Sequence, residues 1–152
     1  MSINFILLNA AIIIGLAVFM EAVAWFTHKH VMHGFLWIFH EDHHRPRGLG
    51  FQKNDLFAVF FSVIAFGFFL AGYLSRIQPF TSAGIGITMY GVGYVLFHDI
   101  MFHKRIRRIR IPAKTPYLRR IVHAHSVHHQ SQGRTDATAF GFLYAPSRYR
   151  VE

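Results

Sequence analysis

Three long apolar runs decide what this chain can fold into. Ile3 to Phe26 is almost wholly apolar, and 24 residues at helical rise extend about 36 Å, more than the roughly 30 Å core of a bilayer. A second run, Leu56 to Leu74, follows Asn54-Asp55, a good helix start, and a third extends from about Ser82 to Phe102. The composition agrees: 53% of the residues are hydrophobic and only 15% are charged, against about a quarter in a soluble globular chain. The expectation is an all-α integral-membrane helical bundle, a single domain over 1–152 with spans at about 3–26, 56–74 and 82–102. The first run lacks the basic start and small-residue cleavage site of a secretory signal and carries Glu21 near its far end, so it reads as a retained anchor. Gly84, Gly86, Gly91 and Gly93 lie two to a stripe on the third span, a pattern that lets another helix pack closely.

Lys and Arg outnumber Asp and Glu by 16 to 7, and their distribution predicts topology. Lys29, Arg45, Arg47 and Lys53 fall between spans one and two, and a dense basic stretch with Pro112 and Pro116 runs from Lys104 to Arg120. The link between spans two and three has only Arg76. Three crossings then put the amino terminus outside and both basic segments in the cytoplasm, with Trp25, Phe26 and Trp37 near that interface. The basic stretch reads as an interfacial helix or loop on anionic lipid; no recognisable module accompanies it that would bind nucleic acid. All 12 histidines fall in, or at the membrane edge of, the two basic segments.

Ten of those histidines follow a repeated order. His28 and His33 are five apart and precede His40, His43 and His44; His98 and His103 are five apart and precede His125, His128 and His129. Positions i, i+3 and i+4 share a helix face, so each triplet is expected to aim three imidazoles at one point. Residues five apart point about 140° from each other on an α-helix, which predicts irregular backbone at His28–His33 and His98–His103: a π-bulge, or a helix that ends between the two. With no cysteine in the chain, disulfides, thiolate sites and iron–sulfur clusters are excluded, and any metal must be held by imidazole or carboxylate. Ten neutral imidazoles exceed the needs of one ion and imply a dinuclear centre with four or five per metal. His30 and His123 stand outside the pattern and read as ordinary polar residues. Glu21, Glu41, Asp42 and Asp99 are candidates to bond the far nitrogen of a ligating imidazole, Glu21 and Asp99 foremost because carboxylates at membrane depth are costly.

The order H-x4-H, H-x2-H-H, H-x4-H, H-x2-H-H resembles the β-carotene hydroxylases of the fatty acid hydroxylase superfamily. The likeness extends to His28-Lys29, Met32-His33-Gly34, Asn54-Asp55-Leu56, His98-Asp99 and Phe140-Gly141-Phe142-Leu143-Tyr144-Ala145, and covers about residues 20–146. The resemblance implies metal ligands at His28, His33, His40, His43, His44, His98, His103, His125, His128 and His129. It further implies two non-haem Fe ions, O2 as co-substrate, and two electrons from a ferredoxin with its reductase. The implied reaction puts one oxygen atom on C3 of each β-ionone ring, turning β-carotene into β-cryptoxanthin and then zeaxanthin. The chemistry is consistent: an unactivated ring C–H offers a side chain no acidic proton or electrophilic carbon, so a metal must take the hard step. Phe51, Phe57, Phe60, Phe61, Phe97 and Phe102 are candidates for a sleeve around the polyene, and the basic patch Lys104 to Arg110 for docking an acidic donor.

Two other classes compete. Fatty-acyl, sterol and sphingolipid hydroxylases or desaturases use similar histidine blocks. A metal transporter would need a path of metal-binding residues through the bilayer, and three short spans with all 12 histidines on one side give it none.

Overall fold

The computed structural model describes residues 2–46, 48 and 50–151; Arg47, one of the basic residues used for the topology, lies outside them. Among the described residues every regular element is a helix, with no strand. Helix α1 spans Ile3–Phe26, capped by the Ser2 hydroxyl, and continues without a break into a π-helical stretch, Thr27–Phe35. Gly34 leaves helical geometry (φ −101°, ψ −126°), and the chain turns into the short α2, Trp37–His44. Helix α3, Asp55–Ser75, ends at Arg76 in the left-handed conformation (φ 61°). Helix α4, Gln78–Tyr94, starts with a proline in its first turn and continues as a second π-helical stretch, Val95–Phe102. After a non-helical basic segment comes α5, Pro116–His128, capped by Thr115 with proline again in the first turn.

Three helical stretches, Ile3–Phe35, Asp55–Ser75 and Gln78–Phe102, are long and apolar enough to cross a membrane. Their apolar side chains mostly face outward: Val18, Phe66 and Leu74 are 70%, 64% and 71% exposed. Such a surface is insoluble in water and ordinary in lipid. Helix α4 is the centre of the bundle and packs on both α1 and α3. Two of the four glycines noted above permit this. A Cβ on Gly86 would meet the Ile13 carbonyl at 2.7 Å, and one on Gly84 the Ala65 carbonyl at 3.1 Å. Gly91 and Gly93 meet nothing within 4 Å, so helix packing does not explain them. Between α1 and α4, Ser82 donates to Asn9 Oδ1 (2.5 Å), closing a polar pair inside the apolar region.

The small core beneath this packing contains Met20, Ala65, Ile87, Tyr90 and Phe142. The last comes from the carboxyl-terminal segment, which returns to the bundle and is clasped by Glu21. Its Oε1 accepts the backbone N–H groups of Phe142, Leu143 and Tyr144 (3.1, 2.9 and 3.1 Å), and Oε2 accepts from the Tyr90 hydroxyl (2.8 Å). Four donors satisfy a carboxylate that would otherwise be prohibitive at this depth. A second cluster, Ile121, Ala124, Ala145 and Tyr149, docks α5 on the same tail.

Candidate metal centre

His28 and His33 both lie on π-helix, the first of the two alternatives their spacing allowed; His98 also lies on π-helix, but that stretch ends at Phe102, so His103 is its cap and the helix ends between this pair. In this geometry hydrogen bonds run from residue i+5 to residue i, as in His103 N–H to His98 C=O (3.0 Å) and Leu36 N–H to Val31 C=O (3.0 Å). The widened turn brings His33 beside His28, with ring centroids 5.2 Å apart, and His103 beside His98, 4.6 Å apart.

The triplets behave differently from expectation. Instead of aiming at one point, each divides between two clusters. His40 and His44 join His28, His33 and His128, while His125 and His129 join His43 and His103. His98 belongs with the second group, its Nε2 lying 3.1 Å from His43 Nε2. The reason is angular. At about 100° per residue, i and i+4 diverge by about 40°, whereas i+3 and i+4 diverge by about 100°. The middle histidine of each triplet therefore crosses to the neighbouring cluster. The two clusters share a wall, where the His44 and His129 rings stack at 4.4 Å.

Where the opposite nitrogen is held by an acceptor, ring nitrogens of the clusters approach one another with no proton to share. Nε2 to Nε2 distances are 3.0 Å for His28–His40, 3.1 Å for His33–His44 and 3.2 Å for His33–His128. The opposite nitrogens fix the tautomer. His28, His33, His44 and His128 donate from Nδ1 to the carbonyls of Phe140 (2.8 Å), Arg134 (3.1 Å), Ser131 (2.8 Å) and Thr138 (2.7 Å). His40 donates to Asn54 Oδ1 (2.6 Å) and His43 to Gln52 Oε1 (2.9 Å). A carbonyl oxygen only accepts, so Nδ1 carries the proton and Nε2 turns a bare lone pair inward. Converging lone pairs repel unless a cation lies between them. Nitrogens about 2.1 Å from one ion and at right angles to each other would be about 3 Å apart, as these are. The donor set therefore fits two metal ions, and the buried His129 Nε2, which has no hydrogen-bond partner among the described residues, fits as a further donor.

Burial keeps these rings neutral. It pushes His43 and His44 down to about 4 and His128 to about 3, with hydrogen bonds to Gln52, Ser131 and Thr138 opposing. His40, His103, His125 and His129 are lowered by the same desolvation and by neighbouring imidazoles.

Of the acids proposed to orient imidazoles, only Asp99 does so, accepting from His98 Nδ1 (3.0 Å). Arg105 binds Asp99 at 3.4 Å and forks onto Asp55 at 2.6 and 2.7 Å. Glu21 contacts the tail instead, Glu41 pairs with Arg45 on the surface, and Asp42 accepts from Lys53 N–H. The orienting residues the sequence did not reveal are Gln52, Asn54 and four backbone carbonyls. Asn54 had read as a helix start, yet its side chain makes no cap and serves His40. His30 sits against Trp25 and Phe26, and His123 bonds the Tyr149 carbonyl (3.1 Å); neither is in a cluster.

An apolar cavity of about 600 Å³ reaches the clusters from within the helices, lined by Met20, Phe61, Ala65, Ile87 and Tyr90 and ending at His28, His40, His98 and His125. On α3 its lining runs from Asn54 to Phe69, about 22 Å at helical rise. Of the proposed sleeve, Phe57 and Phe61 line it; Phe51 and Phe60 face outward, and Phe97 and Phe102 pack in the core clusters.

Residues 13–145 match the fatty acid hydroxylase family. The chain belongs to that family. It is thereby a hydroxylating oxidoreductase. Among its relatives are a "Beta-carotene hydroxylase" of Pseudescherichia vulneris, 42% identical with 91% of this chain and 78% of the relative covered, and one of Pantoea ananas, 39% identical with 95% and 81% covered. A "Beta-carotene 3-hydroxylase 2, chloroplastic" of Arabidopsis thaliana is 42% identical over 90% of this chain and 45% of its own length. No solved structure matches the chain.

Proposed function

We propose that this protein hydroxylates C3 of the β-ionone rings of β-carotene, giving β-cryptoxanthin and then zeaxanthin. The observation that carries the reading is an apolar cavity, deep enough for half of a long polyene, that ends on inward-facing imidazole lone pairs. Its relatives' names point the same way. We assign the ten clustered histidines as ligands of two iron ions: His28, His33, His40, His44 and His128 to one, and His43, His98, His103, His125 and His129 to the other. When bound, the irons would supply activation of O2 with two electrons for each hydroxylation.

The chain's own residues do the remaining work. Nδ1 acceptors hold each oriented imidazole in the tautomer that ligates. Tyr94, stacked on His98 at 4.4 Å, and Phe140, edge-on to His28 and His128, close the ring end of the cavity. The apolar lining grips the polyene and keeps water from the reacting carbon. A transverse β-carotene, about as long as the roughly 30 Å core, then offers one ring at a time to the site. The whole chain acts as one membrane-embedded domain with the histidine end in the cytoplasm, where a ferredoxin-type donor docks on the exposed basic segment after His103.

Expression in cells that accumulate β-carotene, followed by pigment analysis, tests the reading. Zeaxanthin forms, β-cryptoxanthin appears free along the way, and both vanish in His128→Ala. No hydroxylated carotenoid with an active donor present would overturn it and turn attention to another membrane lipid. Charge reversal at Arg107 and Arg108 slows turnover in a salt-dependent manner; unchanged kinetics would remove the docking assignment.

A further inference from the structure

The walls of the cavity are unlike. Toward α1 and the tail it is closed by the buried Met20 and Phe142. Toward the seam between α3 and α4 it is lined by residues that are themselves on the molecular surface: Ser62, Phe66, Gly91, Val92 and Val95. An outer groove shares Ser62, Phe66 and Val95 with it, so the same side chains touch the cavity and the exterior. The seam is shut at both ends. On one side Gly84 packs on the Ala65 carbonyl and Phe69, and Gly72 on Thr81. On the other Asn54 Nδ2 donates to the Tyr94 hydroxyl at 3.4 Å and Arg105 forks onto Asp55.

All of the residues along the opening lie in the two stretches that can cross a membrane, so the exterior they meet is lipid. The hydroxyls at the opening are already satisfied. Ser62 donates to the Ala58 carbonyl and Thr88 to the Gly84 carbonyl, both at 2.8 Å. An apolar molecule passing them strips no unpaired polar group. Gly91 is the bare spot in this opening. Unlike Gly84 on the same stripe, it would place an added Cβ with nothing within 4 Å, and it lines the cavity.

We propose that the apolar substrate enters sideways from the lipid through the slot between α3 and α4, and that Gly91 is the position that keeps the slot open. This deepens the carotenoid reading and rests on it for the identity of the substrate. Helix packing explains Gly84 and Gly86; passage explains Gly91.

Gly91→Leu and Gly93→Leu form a matched pair, since neither side chain meets protein at its Cβ and only Gly91 borders the cavity. In β-carotene-accumulating cells Gly91→Leu lowers hydroxylated carotenoid at least tenfold, and the β-carotene that co-purifies with the protein falls with it. Gly93→Leu matches the parent, and bound metal is equal in all three. Ser62→Phe, across the slot, reproduces Gly91→Leu and guards against a fold defect in either variant. Parental yields from folded Gly91→Leu and Ser62→Phe overturn the slot. A parent that neither binds nor hydroxylates β-carotene overturns the substrate instead, and the slot is then decided without it. The chain has no cysteine, so a nitroxide can be placed on Gly91→Cys alone. In bilayers it is relaxed by lipid-dissolved oxygen and not by a water-soluble nickel chelate; the reverse, or relaxation by neither, overturns lateral entry.

Discussion

The two histidine clusters hold five imidazoles each and are built by different means. In the first, every ring has an Nδ1 acceptor, and four of the five acceptors are carbonyls of the tail between Ser131 and Phe140. In the second, Gln52 and Asp99 orient His43 and His98, and no Nδ1 hydrogen bond holds His103, His125 or His129 among the described residues. The first cluster is thus aimed by hydrogen bonds, the second chiefly by packing of α5 and the π-helical end of α4. Among the described residues only the second contains a carboxylate–imidazole pair, His98–Asp99, which makes the ring a more basic donor. The lesson is that equal ligand counts do not make equal sites.

The sharpest way to break the comparison is to remove one ring from each cluster. His33→Ala and His129→Ala each lower turnover by more than about 100-fold, since a lost ligand exceeds the roughly 10–100-fold cost of a lost orienting group. Metal analysis finds about one ion fewer per chain in each case; loss of both ions from either variant would mean a single coupled site.

Orienting groups come next. Asn54→Ala weakens metal binding in the first cluster about 10–100-fold, and Asp99→Asn does the same in the second. Equilibrium metal titration separates the two, and an identical effect of both variants on both steps would erase the distinction. Because fewer rings there are oriented, chelator removes the second-cluster ion first.

A smaller effect is expected at the tail clasp. Glu21→Ala frees the backbone of Phe142–Tyr144 and, through Phe140, loosens His28, lowering first-cluster affinity about tenfold; Glu21→Gln, which still accepts, largely restores it. A second-cluster loss instead would contradict the route through Phe140.

Acidification treats both clusters alike. The metal-free unfolded chain takes up protons below about pH 6.5, while His43 and His44 stay neutral in the folded chain to about 4. The unfolded state binds more protons in that window, so folded stability falls as pH drops from about 6.5 toward 4. Chemical denaturation at stepped pH measures the slope, and a flat profile would refute it.

Much of this was legible in sequence. Helices last about as long as their apolar runs because lipid imposes one rule, internal backbone hydrogen bonding, on every residue that crosses it. The five-residue spacing demanded distorted helix, and π-helix is what both stretches adopt. The acceptors were hidden, because a carbonyl has no letter. Ser131, Arg134, Thr138 and Phe140 act through backbone atoms, which any residue supplies once the tail is in place. Asn54 was visible only as a helix-start residue, since capping and imidazole binding use the same short amide.

Sequence alone therefore determined the apolar helices, the ten histidines and their spacing, because these are local, periodic properties. Tertiary structure decided which histidines share a cluster, which carbonyls aim them and where the cavity opens. A triplet's rings diverge by about 100° between i+3 and i+4, so the partner of each ring is whatever helix the fold brings opposite it.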